Sequence, residues 1–163
     1  ISYYDGEVVS RSFPIGIVTM AQTYKDMETM QHALPDDLFP MEMFVAEMFA
    51  TKGAVNSFVA TAGIPTTVAA MKLGQIYATY DAARVNGTML EADELDFYLK
   101  KLLSMPLEQR EETVGTGRSD LIAAGILIFK HIFKLLSCRN CIVVDDGLRE
   151  GIALQECKEE KRK

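Results

Sequence analysis

Tryptophan is absent from this chain of 163 residues, and histidine, cysteine and proline are scarce, at two, three and five. No apolar run reaches the ~18 residues that a membrane-crossing helix needs, so none is expected. The opening Ile1-Ser2-Tyr3-Tyr4-Asp5 has neither a methionine nor a basic stretch ahead of an apolar one, so it does not read as a secretory signal. A strand-like start of this kind suggests a fragment of a longer protein. Positive charge is also in deficit: 17 Lys and Arg against 23 Asp and Glu give a formal net charge of −6. That excludes a chain-wide basic face for nucleic acid. It leaves open a local phosphate site, which backbone N–H groups and one arginine can build.

Cys138 and Cys141 form a lone CxxC. Zinc needs four ligands, and His32 and His131 are the only histidines, so no metal site is expected within the chain. The simpler reading puts one thiol at a helix end and the other at a strand start. An odd cysteine count without a secretion signal fits a reducing cytoplasm.

What is present is apolar. The composition is 48% hydrophobic and 25% charged, which excludes disorder for most of the length and fits one domain with a real core. Ile1–Tyr4 and Val8–Phe13 flank Asp5-Gly6, a hairpin signal. Pro14 and Gly16 end the second strand. A helix is predicted from Ile17 to about Gln31. Pro35-Asp36-Asp37 reads as a stop and a new N-cap. Leu38–Thr51 is then helical, its methionines core filler, and Gly53 closes it.

Ser57–Thr61 reads as a short strand, Ala62–Pro65 as a turn, and Thr66–Leu73 as a helix. Strand, glycine turn and helix together make the local shape that cradles an anion. Asp81–Leu90 reads as a polar loop around Asn86-Gly87, Glu91–Leu103 as an amphipathic helix, and Pro106 as the start of a shorter one. The Gly115–Arg118 loop precedes a helix over Ser119–Ser137, capped by Ser119 with Asp120 in its first turn. That helix is apolar nearly all round, which predicts a central position. Cys141–Val144 is a last strand, and a helix from Gly147 fades into a charged tail at 157–163. The order predicts an α/β layer fold with a mixed sheet flanked by helices.

Four segments, in order and at matching spacing, resemble the exopolyphosphatase/guanosine pentaphosphate phosphohydrolase (Ppx/GppA) family. They are Ser12–Gly16, Thr61–Ala70, Gly117–Ile128 and Val144–Gly151, within residues 1–156. The resemblance implies a ribonuclease-H-like domain of the actin-like ATPase superfamily, two of which enclose a cleft. This chain looks like the second. It implies hydrolysis of terminal phosphoanhydride bonds in polyphosphate or guanosine pentaphosphate, with magnesium, in a parent protein whose first domain holds the catalytic residues. No catalytic residue is expected here. A non-catalytic sensor and a kinase of the same superfamily are the rival readings.

For phosphate binding the resemblance points to Arg118, Gly63, Thr66, Gly16 and Ile17, with Gly117, Gly147, Arg149 and Glu150 shaping the cleft. Arg118 is the expected clamp, because a guanidinium suits bidentate phosphate contact; its bland alternative is a surface pair with Asp120. Arg149 and Glu150 read as an ion pair bracing the last turn. Asp145 and Asp146 are adjacent on a strand, so they face opposite ways and cannot form a dyad; one is expected to cap the following helix. Ala62 stands where many relatives have glycine and Ile64 where many have threonine. Ile64 brings no hydroxyl and Pro65 no N–H.

In the family fold a strand carrying an Asp-Ile-Gly-Gly-Gly-Ser loop lies between the hairpin and Ser57–Thr61. It is absent from this sequence, which predicts pairing with another chain, a homodimer included, or a rearranged sheet.

Overall fold

A computed structural model describes residues 1–160. The side chain of Asp120 lies outside the described residues, as do 161–163 of the charged tail. An antiparallel hairpin, β1 (Ser2–Tyr4) and β2 (Val8–Ser10), opens the chain. Helices α1 (Ile17–Thr23) and α2 (Met27–Lys52) follow. Strand β3 (Val59–Thr61) leads into α3 (Gly63–Lys72), a one-turn 3-10 helix at Tyr77–Thr79 and a short α4 (Ala82–Val85). Then come β4 (Met89–Glu91), α5 (Glu94–Ser104), α6 (Leu107–Val114), α7 (Ser119–Leu135), β5 (Asn140–Val144) and α8 (Leu148–Glu160).

The second sheet is mixed, as expected. Its order is β3-β5-β4, with β3 parallel and β4 antiparallel to the central β5. Helix α7 divides the interior. Ile122, Ala123, Ile126, Phe129 and Phe133 face the core shared with the sheet, α3 and α5. Ala124 and Leu127 face a second core with α1 and α2, where Met20, Met30 and Met41 are filler. Two packing faces leave no room for a polar stripe, which accounts for its all-round apolar sequence.

Three expectations are corrected. The first helix ends at Thr23, and Asp26 starts the next by accepting the Thr29 N–H at 2.8 Å. That helix runs straight through Pro35 and Pro40. Each proline leaves the carbonyl four residues earlier without its usual donor. Those belong to Gln31 and Asp36, both exposed, so water can serve them. The opposite face buries Leu34, Leu38, Met41, Val45 and Met48. That burial, worth ~1.5–3 kcal/mol for each large side chain, outweighs the helix-breaking cost.

The polar loop at 81–90 instead contains α4 and β4. Val85 and Leu90 are fully buried, and β4 alternates exposed, buried, exposed. Glu91 ends that strand rather than opening a helix. Lastly, α7 takes Arg118, not Ser119, as its N-cap, and Ser119 is buried as the first helical residue.

The hairpin and the three-stranded sheet share no ladder. The hairpin is tied instead to the end of α2: the Tyr3 hydroxyl donates to the Gly53 carbonyl, and Lys52 lies against Asp5 at 3.2 Å. The hairpin and the three-stranded sheet are separate, with an open groove between them.

Candidate phosphate-binding corner

The corner forms where β3 and β5 end. Their register pairs Thr61 with Val144, so Asp145 follows beside Ala62 and the glycine turn. Ligands in open α/β sheets collect at such carboxyl ends. The turn starts with Ala62 at φ 76°, ψ −176°, a region that glycine occupies readily and alanine does not. Helix α3 begins at Gly63, so the amides of Gly63 and Ile64 point off its first turn without intrahelical acceptors, while Pro65 has none to offer.

Arg118 is brought to that turn from 55 positions away in sequence. Its Nη2 lies 3.4 Å from where a Cβ on Gly63 would sit. The loop that carries it needs two glycines. Gly115 has φ 96°, and a Cβ there would press within 3.1 Å of the Tyr77 ring and 3.3 Å of the Arg118 stem. Gly117 has φ 70°, and its N–H donates to Glu111 at 3.2 Å.

Thr66 is buried, and its hydroxyl donates back to the Ala62 carbonyl at 3.1 Å. Tyr80 stands beside Asp145 and Thr66; burial raises its pKa first, and the neighbouring Asp145 carboxylate adds to the rise. Asn86 grips the end of β5: its Oδ1 accepts the Asp145 N–H at 2.7 Å, and its amide donates to Asp146 at 2.9 Å.

The expected residues thus separate. Gly63, Thr66, Arg118 and Gly117 meet at one corner. Ile17 lies behind it, against Gly125 of α7 together with Ile64. A Cβ on Gly125 would come within 2.2 Å of Ile64 Cδ1, so Ile64 packs onto bare helix backbone rather than toward the corner. Gly16 caps α1 and borders a small cavity of about 250 Å³ with Phe13 and Tyr24.

Among the described residues no bond runs from Asp145 or Asp146 to the α8 backbone, and Asp146 instead accepts the Asn86 amide. Glu150 reaches back from the first turn of α8 to accept the Gly147 N–H at 2.7 Å, and that bond is the first cause of its lowered pKa. Its brace is thus this backbone bond rather than a pair with Arg149, which is exposed and adds only a weak charge effect. Tyr80 and Asn86 had no legible role in the sequence beyond the Asn-Gly turn.

Cys141 lies inside β5, and burial pushes its thiol up to about 11, away from thiolate chemistry. Among the described residues no group of three or more His, Cys, Asp and Glu side chains could hold a metal ion. No helix among the described residues is long and apolar enough to cross a membrane.

The profile of the Ppx/GppA phosphatase family matches residues 3–160, nearly the whole chain. The chain belongs to the Ppx/GppA family. The Aquifex aeolicus Ppx/GppA family member is similar to it in structure, with 29% identity and a TM-score of 0.69 over 94% of this chain. An exopolyphosphatase from Cytophaga hutchinsonii shares the fold at 19% identity, with a TM-score of 0.71 over 94%. The chain spans about half of each, 49% and 51%. These Ppx/GppA neighbours have the actin-like ATPase fold, so the α/β architecture with its mixed sheet is a domain of that class. No curated protein matches the sequence.

Proposed function

We propose that this chain forms one wall of the cleft of a phosphatase that hydrolyses terminal phosphoanhydride bonds in inorganic polyphosphate or guanosine pentaphosphate. It takes the part of the second domain, and a first domain outside these residues closes the cleft and orients the attacking water. The observation that carries this reading is the meeting of the Gly63 helix N-terminus with the Arg118 guanidinium, 3.4 Å from the Gly63 Cβ position. Phosphoryl transfer asks mainly for positioning and charge stabilisation. The first-turn amides and helix dipole supply fixed partial positive charge. Arg118 supplies a planar cation able to grip two phosphate oxygens as their charge grows. Asp145 is held by Asn86 and Tyr80, where it discourages a phosphate from sliding past Arg118.

In this reading magnesium belongs to the assembled parent and has no step assigned to this wall. The parent works in the cytoplasm, in keeping with three unpaired thiols. A binding-only sensor is favoured by a single feature, the apolar Ile64-Pro65 pair in the phosphate turn.

Tripolyphosphate binding to the chain, measured by calorimetry, tests the reading. Arg118→Ala should weaken binding by at least about ten-fold, the loss of one charge-assisted contact, and Arg118→Lys should restore part of it. Equal affinity of all three proteins would refute the corner. The chain alone should release no phosphate from polyphosphate with magnesium; sustained turnover would refute the division of labour.

A further inference from the structure

The 3-10 turn at Tyr77–Thr79 brings an aromatic ring to the edge of the corner, and Tyr77 is 60% exposed there. The turn is fixed at both ends. The Ile76 N–H donates to the Thr79 hydroxyl at 3.2 Å, and the Thr79 N–H donates to the Ile76 carbonyl at 3.0 Å. The buried Gln75 side chain clips the far end by accepting the Asp81 N–H at 3.0 Å. Helix α6 packs against the turn, and the same short segment ends at Tyr80, beside Thr66 and Asp145. Bare backbone at Gly115 makes room for the ring. A Cβ on Gly115 would lie 3.1 and 3.2 Å from two Tyr77 ring carbons and 3.3 Å from Arg118 Cδ, so ring and arginine stem border one spot. The other end of that side chain, Nη2, reaches the Gly63 turn. One arginine thus spans the distance from ring to phosphate corner, a reach that a ribose covers between a phosphate and its base.

We infer that Tyr77 is a stacking platform for a nucleoside base, and that the corner takes a nucleoside polyphosphate in preference to bare inorganic polyphosphate. The inference rests on the phosphate-binding reading of Gly63 and Arg118 and names the residue that selects the substrate within it. A ring that served only to brace Arg118 would lie buried beneath it, whereas most of Tyr77 is open. An aromatic side chain on a turn that is already fixed stacks a base with little further loss of freedom. Such contacts are worth about ten-fold or more in affinity for each base. An inorganic phosphate chain has no planar group to set against the ring and gains nothing from it. Stacking also tolerates any base, because each has a π-face. Tyr77 therefore separates nucleotides from polyphosphate, not guanine from adenine. Of the two substrates in the proposed reaction, guanosine pentaphosphate is the one that carries a base.

Guanosine triphosphate and tripolyphosphate carry the same number of phosphates and differ in the nucleoside. Calorimetry with both probes therefore isolates the contribution of the base. Tyr77→Ala should weaken guanosine triphosphate binding by about ten-fold and leave tripolyphosphate binding unchanged. Tyr77→Phe, which keeps the ring, should bind both as the unaltered chain does. The chain has no tryptophan, so Tyr77→Trp places a single fluorescent reporter on the platform. Its emission should change with guanosine triphosphate and stay constant with tripolyphosphate. Equal losses for the two probes in Tyr77→Ala would overturn the inference and reduce Tyr77 to a brace for Arg118. Unchanged affinity for both would overturn it as well. Arg118→Ala tells the two failures apart. If it weakens both probes while Tyr77→Ala does not discriminate between them, the phosphate corner stands and the platform falls; if it weakens neither, both fall together.

Discussion

Strands β5 and β3 share a ladder yet live under opposite constraints. β5 is bonded on both sides, its Cys141 and Val143 are buried to within 1% of full coverage, and Asn86 holds its end. β3 is bonded on one side only, and Val59 is 52% exposed. Helix α7 packs beneath both strands, its Phe133 and Phe129 lying 5.1 and 6.0 Å from the Phe58 ring centre. That rigid layer positions Arg118 and Asp145. The open side offers an apolar floor and a strand edge with no neighbour among the described residues. One small sheet thus contains both a strand enclosed on its two sides and one left open on one side.

The largest expected effect tests the contrast directly. Phe133→Ala should lower the unfolding free energy by about 3–5 kcal/mol in urea titration, as a cavity in the closed side. Tyr3→Phe removes only the hairpin's bond to Gly53 and should cost about 1 kcal/mol. Equal losses would erase the distinction between the two sides. Gly125→Ala comes next: helix propensity favours it, but the added methyl would strike Ile64, so a net loss of about 1–3 kcal/mol is expected. A gain in melting temperature would show that Ile64 is free to move.

Ala62→Gly should act in the opposite sense, raising stability by about 1 kcal/mol by relieving the left-handed backbone at the glycine turn. A loss in the same titration would mean that the turn relaxes without glycine. The smallest effect is one of pH. The Thr29 N–H holds the Asp26 carboxyl below its ordinary value, so the cap is fully formed above the unfolded pKa of about 3.9 and is lost as pH falls through the lowered folded value. Exchange of the Thr29 amide, followed by NMR, should accelerate only in that acid range, and an Asp26→Asn variant should show no such step.

Legibility followed the length over which a pattern repeats. Helix α7, with its long apolar sequence, the Asp5-Gly6 hairpin and the strand–glycine–helix unit at Thr61–Thr66 could all be read in advance. Strand β4 could not, because three residues give alternation too short to recognise and Val85 and Leu90 are isolated among polar neighbours. Pro35 of α2 was overread as a stop. A local breaker carries a fixed cost, whereas the buried face that overrides it is visible only once α1, α2 and α7 are packed. At the corner, Gly63 and Arg118 were named from sequence, but Tyr80 and Asn86 were not. A tyrosine or an asparagine becomes a brace for Asp145 only through contacts across 60 or so positions of chain.

The sequence by itself determined the α/β class, the family and the glycine turn with its arginine, because these rest on local periodicity and on motifs that survive without a structure. Tertiary packing decided the rest. Distance between Gly63 and Arg118, the use of Ile64 as a plug over Gly125, and the split of the sheet into a closed and an open part all depend on which surfaces touch. Contacts between residues far apart in the chain follow from the summed burial of a whole core, and no short stretch of sequence encodes that sum.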